Sequence, residues 1–342
     1  MKLDKRKGAL LFALLVGIFF LFFYDSGKKE KKFLMEEGKV FGTFYKIIYE
    51  SSDRKSLEPE LKKIFRSFDL SLSVFNDSSI ISRINRNDST VIVDDYFRTV
   101  FESGRRVSEI TDGAFDMTVA PLVNAWGFGF SREDNVTPEL IKSLLKNTGY
   151  QKVRLEGDRI VKDNPAVMLD ASAIAKGYAS DVVASFLDSK GIENYMVEIG
   201  GEVVVKGLND RGTTWSIGIT KPIDDSTMMR TELQSIVYME NGGLATSGNY
   251  RQYYHKDGKK YAHTINPHTG YPVDHNLLSV TVIAPNCMLA DAYATAFMVM
   301  GLEESLIIAN FMPDIEAYFI YSNYENSLAE SYTEGFKKYL KY

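Results

Sequence analysis

The chain has 342 residues, of which 45% are hydrophobic and 25% charged, and its formal net charge is −5. This composition is that of a globular protein, and 21 Phe and 20 Tyr carry too much apolar surface for a disordered chain. A single cysteine excludes internal disulfides and a cysteine-rich zinc site. Because basic residues concentrate in residues 1–32, the remainder is markedly acidic, and nucleic acid is not expected as a partner.

The N-terminus combines four basic residues with an uncharged stretch over residues 8–24. As a helix this stretch would span roughly 25 Å, close to the hydrocarbon thickness of a thin bilayer. A buried core helix would show a polar face, and a removed signal peptide would show a small-residue cleavage site; neither is present. We therefore predict an uncleaved signal anchor and tether at 1–32 and a single domain at 33–342. The expected location is the inner or cytoplasmic membrane, with the body on the exported side.

The body mixes predicted helices and strands in no regular alternation. Thr137 and Pro138 have the residue types of a helix N-terminus, with Gly149 beyond the end of that helix. The remaining helices are predicted over residues 57–72, 97–110, 174–190, 286–300 and 303–311. Strands are predicted over residues 41–49, 195–199, 202–206, 214–220, 235–240, 277–284 and 315–321. This order favours the α+β class over a doubly wound sheet.

Four segments contain more glycine, small polar and charged residues than a fold alone requires. Each by itself is most often a set of turns, and none fits the glycine patterns of classical nucleotide-binding loops. The second segment precedes a predicted helix, as a strand-to-helix junction would, and free N–H groups there suit an anion. The segments are residues 111–118 with 126–129, residues 170–178, residues 198–202, and residues 245–251 with 263–272 and 290–296.

Asp291 and Thr295 are four residues apart on a predicted helix, so their side chains share one face. A carboxylate and a hydroxyl are hard oxygen ligands that suit Mg²⁺ rather than zinc. The alternative is structural: Thr295 would bond the carbonyl four residues earlier and Asp291 would lie at the helix surface. Residue types alone leave both alternatives open.

All four histidines fall between residues 255 and 275. Their spacing does not match a zinc site, so one of them acting as a general base is the more credible function. A solvated loop histidine is the alternative for each.

Taken in order, these segments resemble the FAD:protein FMN transferase family, the ApbE-like flavin transferases. The similarity covers about residues 40–302, nearly the whole body. Its motifs are Phe41-Gly42-Thr43, Asp112-Gly113-Ala114-Phe115-Asp116, Trp126-Gly127-Phe128-Gly129, Ile174-Ala175-Lys176-Gly177-Tyr178, Gly200-Gly201, Ala245-Thr246-Ser247-Gly248 and Asn266-Pro267-His268-Thr269-Gly270-Tyr271-Pro272.

The resemblance implies a T-fold-like single α+β body with FAD between its two halves. It implies Mg²⁺ held by the Asp291 carboxylate, the Thr295 hydroxyl and the Ala173 carbonyl, with His263 as the base. It also implies FAD contacts at Phe41, Ser73, Val74, Phe75, Asp116, Lys176 and Ile265.

Three functions remain in competition. The first is Mg²⁺-dependent transfer of FMN from FAD to a Thr or Ser hydroxyl of an acceptor protein, releasing AMP, with the acceptor expected in an exported or membrane redox system. The second is hydrolysis of FAD to FMN and AMP at the same site. The third is a non-catalytic flavin-binding protein, which would have no need of a metal pair facing a base.

Overall fold

The structure is a computed structural model that describes residues 32–130, 136–222, 232–249, 253–256, 259–325 and 327–340. Apart from Lys32, the predicted signal anchor lies outside these residues. Among the described helices, none is both long enough and apolar enough to cross a bilayer.

Eight strands form one antiparallel sheet in the order β1-β2-β5-β6-β9-β12-β13-β14, and three smaller hairpins pair β3 with β4, β7 with β8 and β10 with β11. The described strands are β1 Phe33–Val40, β2 Thr43–Glu50, β3 Val153–Glu156, β4 Arg159–Lys162, β5 Tyr195–Ile199, β6 Glu202–Lys206, β7 Trp215–Thr220, β8 Leu233–Met239, β9 Asn241–Gly248, β10 Tyr253–Lys256, β11 Lys259–Ala262, β12 Leu277–Ala284, β13 Glu316–Ser322 and β14 Leu328–Tyr332.

Four of the eight described α-helices begin at a polar side chain that caps the helix. The Thr137 side chain accepts a hydrogen bond from the Leu140 N–H at 3.2 Å, and Asn286 caps the helix of Asp291 through the Leu289 N–H at 2.9 Å. The described α-helices are α1 Glu58–Leu72, α2 Ile80–Asn85, α3 Asp95–Ile110, α4 Ala120–Ala125, α5 Pro138–Leu145, α6 Ala175–Ser189, α7 Cys287–Met300 and α8 Leu302–Asn310.

The two faces of the large sheet bury different cores. One face packs against helices including α1, α3, α6 and α7, with α7 buried over most of its length. The opposite face is covered by the β7–β8 hairpin and a C-terminal 3₁₀ helix around Phe336. A third, smaller apolar cluster, the loop core, consists of Leu122, Trp126, Ile141 and Ile265 with their neighbours. The prediction of one globular body that mixes helices and strands is confirmed for the described residues, and the T-fold-like assignment stays a prediction.

Two local predictions were wrong. Residues 41–49 are not one strand, because Phe41 and Gly42 both have positive φ and form the turn between β1 and β2. The segment from Asp170 to Ala173 is not preceded by a paired strand, since residues 163–174 form bends, turns and unpaired chain. The start of α6 is therefore approached by a loop, and the Ala175 N–H in its first turn donates to the Ala171 carbonyl of that loop at 2.8 Å.

Candidate active site

Helices α6 and α7 touch at Gly177. A Cβ at this position would lie 2.3 Å from the carbonyl oxygen of Cys287 and 2.8 Å from the Cβ of Asp291. Only a residue without a side chain permits this approach, so the glycine lets the backbone of α6 reach the Asp291 side chain.

The Gly177 N–H donates to Oδ2 of Asp291 at 3.0 Å. Gly177 is the third residue of α6, so its N–H has no acceptor within the helix. The Asp291 carboxylate supplies that acceptor, which places Asp291 beside the first turn of α6. Ala173 lies in the turn immediately before α6, so two of the three predicted metal ligands lie at the N-terminal end of this helix.

Asp291 is 4% exposed, and burial raises the pKa of its carboxyl group, with Lys176 and the Gly177 N–H acting in the opposite direction. The alternative of a surface aspartate is therefore wrong. Thr295, one turn further along α7, lies 3.1 Å from the Ser247 hydroxyl of β9, oxygen to oxygen. The hydroxyl and the carboxylate both lie where α7 meets other elements of the core.

The Lys176 ammonium lies 2.5 Å from Oε1 of Glu202, the first residue of β6. Burial alone would lower the pKa of Lys176, but Asp291 and Glu202 outweigh it, so the pKa is raised and the lysine stays charged. Burial raises the pKa of Glu202 to about 7, although Lys176 opposes that rise. The predicted FAD contact Lys176 is therefore a cation at the beginning of α6, where the helix dipole also favours an anion.

The predicted FAD contacts from the N-terminal part differ in exposure. Phe41 packs its ring 5.4 Å from that of Phe68, which in turn contacts Tyr178 of α6 at 5.8 Å. Val74 is buried, and the carbonyl of Ser73 accepts a hydrogen bond from the Ser79 hydroxyl at 2.7 Å. Phe75 is 73% exposed, so its ring is available to a ligand.

Asp116 is buried and accepts hydrogen bonds from the N–H and hydroxyl of Thr118 at 2.7 and 2.6 Å. Burial raises the pKa of this carboxyl group, and the Thr118 bonds oppose the rise. The Asp170 N–H donates to the Met117 carbonyl at 2.7 Å. This bond joins the Asp116 loop to the segment that leads into α6.

Ile265 belongs to the loop core, and His263 lies at the edge of this cluster. The His263 ring lies 6.3 Å from the Phe128 ring in an edge-on arrangement, and Ile265 is buried beside Trp126. Trp126 donates its Nε1–H to the Gly270 carbonyl at 2.8 Å, which fixes the turn that follows Ile265. The structure thus places the predicted base on a separate packing unit from Asp291 and Thr295.

No group of three or more His, Cys, Asp and Glu side chains in the described part of the chain could hold a metal ion. Mg²⁺ does not require such a group, because it is usually bound by one or two carboxylates together with substrate phosphates and water. The donors at this place are all oxygen, and the two buried carboxylates Asp291 and Glu202 face one ammonium, Lys176. The residues present therefore fit a hard cation that arrives with an anionic substrate.

The sequence model of the ApbE family matches residues 41–319. The chain belongs to the ApbE family. It is 40% identical over 280 residues to an FAD:protein FMN transferase of Vibrio cholerae, covering 80% of this chain and 83% of that protein. Its identity to the Escherichia coli protein of the same name is 36%, over 79% of each chain. The solved structure of the flavin transferase ApbE from Vibrio cholerae superposes with a TM-score of 0.82 at 37% identity, covering 91% of this chain and all of that one.

Three residues at the candidate site were not among the site residues predicted from the sequence: Gly177, Glu202 and Ser247. Each lies inside a segment that its composition singled out, yet each acts through a partner more than 25 residues away. Segment composition indicated the region, whereas the pairing depends on how α6, α7 and the sheet pack.

Proposed function

We propose that this protein transfers the FMN part of FAD to a Thr or Ser hydroxyl of another protein and releases AMP. The observation that carries the proposal is the bond from the Gly177 N–H to Asp291, which gathers a carboxylate, a carbonyl and a cation at the open start of α6. Membership of the ApbE family, with relatives named FAD:protein FMN transferase, supports the same reaction.

In this reaction the acceptor oxygen attacks the phosphorus on the FMN side of the pyrophosphate. The bond from that phosphorus to the AMP oxygen breaks, and AMP leaves with the electron pair. The hydroxyl proton must be removed, because a Thr or Ser hydroxyl is a weak nucleophile at neutral pH. We assign this proton to His263.

The side chains at the start of α6 have a binding function in this proposal. The Lys176 ammonium and the positive end of the α6 dipole would hold the pyrophosphate by charge. Asp291, Thr295 and the Ala173 carbonyl would hold Mg²⁺, which would neutralise charge on the phosphate oxygens. Phe41, the exposed Phe75, Asp116 and Ile265 would contact the rest of FAD.

The test is to incubate the protein with FAD, Mg²⁺ and a candidate acceptor domain. We expect a flavin-fluorescent acceptor band and an equal amount of AMP. AMP without a labelled acceptor would show that water is the nucleophile and that the protein is an FAD pyrophosphatase. FAD uptake with neither product would show a flavin-binding protein, and no FAD uptake by folded protein would contradict the proposal altogether.

We further propose that residues 1–32 anchor the protein in the inner or cytoplasmic membrane, with the domain on the exported side. The proposal rests on the four basic residues, the uncharged stretch and the missing cleavage site at the N-terminus. Protein purified from membranes is expected to keep residues 8–24, as shown by N-terminal sequencing. A mature N-terminus near Ser26 would contradict the anchor.

A further inference from the structure

Three charged side chains lie together where α6, α7 and the β5–β6 turn meet. Lys176 is paired with Glu202, and the carboxylates of both Glu202 and Asp291 act electrostatically on its ammonium. The ammonium is therefore bonded to Glu202 and is also attracted by the buried carboxylate of Asp291, which accepts the N–H of the next residue, Gly177. Which carboxylate holds it decides whether the other is available to a cation.

The β5–β6 turn is shaped around the Lys176–Glu202 pair. Ile199 pairs with Glu202 across the turn, so both side chains point to the sheet face that carries α6 and α7. Gly200 has a φ of +69°, and a Cβ there would lie 3.2 Å from Oε2 of Glu202 and 3.3 Å from Cδ of Lys176. The Ser180 hydroxyl of α6 also bonds the Glu202 carbonyl at 3.1 Å, which fixes the helix against this turn.

A glutamate at position 202 is not explained by the stability of the fold alone. Its side chain is 6% exposed, and within the described residues its Oε2 has no hydrogen-bond partner. A buried carboxylate oxygen without a donor costs free energy, and a buried ion pair seldom stabilises more than apolar residues would. The geometry therefore points to a function for the pair.

We propose that Glu202 is a positioning residue that holds the Lys176 ammonium away from Asp291, so that the Asp291 carboxylate stays available to Mg²⁺. This inference rests on the proposed function, which places Mg²⁺ at Asp291. Without the charge of Glu202, the ammonium turns to the remaining carboxylate and competes with the metal for it. The expected effect is weaker Mg²⁺ binding, which can be measured without an acceptor protein and without a transfer assay.

The test is Mg²⁺ binding to the full chain, measured by calorimetry and, with Mn²⁺ as a probe, by electron paramagnetic resonance. We expect Glu202→Gln to raise the dissociation constant about tenfold or more, the range of a lost charge-pair coupling. The matched control is Glu198→Gln on the neighbouring strand, whose side chain lies on the opposite sheet face from Glu202 and should leave the constant unchanged. Melting temperatures are measured alongside.

A double-mutant cycle separates positioning from structural damage. Lys176→Met should bind Mg²⁺ at least as tightly as the wild type, and adding Glu202→Gln to it should have no further effect. Equal metal binding by wild type and folded Glu202→Gln overturns the inference alone. A double variant as weak as Glu202→Gln also overturns it, because Lys176 would then not be the competitor. Absence of Mg²⁺ binding in the wild type would overturn the metal site of the proposed function as well.

Discussion

Asp291→Asn is expected to lower kcat/KM for FMN transfer by about 10³-fold or more, which is roughly 4 kcal/mol of transition-state stabilisation. The amide keeps an oxygen that can accept the Gly177 N–H, so the contact between α6 and α7 is retained. The change removes the negative charge that would hold Mg²⁺, while the Glu202 carboxylate stays paired with Lys176 and the Asp181 carboxylate stays bonded to the N–H groups of Cys287 and Met288. Turnover is measured against Mg²⁺ concentration, with the melting temperature as a check on folding.

Asp181→Asn is the matched control for this variant. Asp181 is another buried carboxylate between α6 and α7, and it accepts the N–H groups of Cys287 and Met288 at 2.8 Å each. Its contacts are those of a helix cap, so the substitution should lower the melting temperature and spare the rate. If Asp291→Asn keeps wild-type turnover at low Mg²⁺, the assignment of Asp291 as a metal ligand is wrong. If it unfolds while Asp181→Asn does not, the role of Asp291 is structural.

His263→Ala is expected to slow transfer to a hydroxyl acceptor by about 10²–10⁴-fold, the usual contribution of a general base. FAD binding should be weakened little, because the assigned contacts Phe41, Phe75, Asp116 and Lys176 lie outside the loop core, and the Ile265 contact within it is not changed by the substitution. The measurements are single-turnover transfer between pH 6 and 8 and FAD affinity by fluorescence quenching.

His275→Ala serves as the control for His263. His275 is in the same part of the sequence, but its Nε2 lies 2.9 Å from the carbonyl oxygen of Met298 at the end of α7. Its loss should affect stability and leave the pH dependence of transfer as in the wild type. Wild-type rates for His263→Ala across that pH range would show that the proton leaves by another route.

The sequence predicted the longer helices and seven of the strands, but it missed short elements such as α2, β3 and β14, as well as β1 and β9 of the large sheet. β9 was assigned only as a functional segment, because Gly242, Gly243 and Gly248 depress its strand propensity. The structure explains these residues: a Cβ on Gly243 would lie 2.2 Å from the Cys287 backbone nitrogen, so α7 packs directly on the strand. A glycine that is required for close packing has a low strand propensity, so it does not indicate a strand.

The candidate site also contains some residues that could be paired from the sequence and others that could not. Asp291 and Thr295 could be paired from their spacing, since residues four positions apart on one helix are neighbours on the same face. Glu202 could not be paired with Lys176, because the two are 26 positions apart and their contact depends on how β6 meets α6. Local geometry is encoded in local spacing, whereas contacts between elements are set by the packing of the whole domain.

Because α7 is deeply buried, the two parts of the candidate site should differ in how readily they open. Asp291 and Thr295 lie on a helix enclosed by α6 and the large sheet, so amide protons around them should exchange with solvent only when the whole domain opens. His263 lies at the edge of the much smaller loop core, with its ring 6.3 Å from that of Phe128, and the few apolar side chains of this core can separate at lower free energy. In the proposed reaction this part of the protein would open to admit an acceptor side chain while α6 and α7 stay in place.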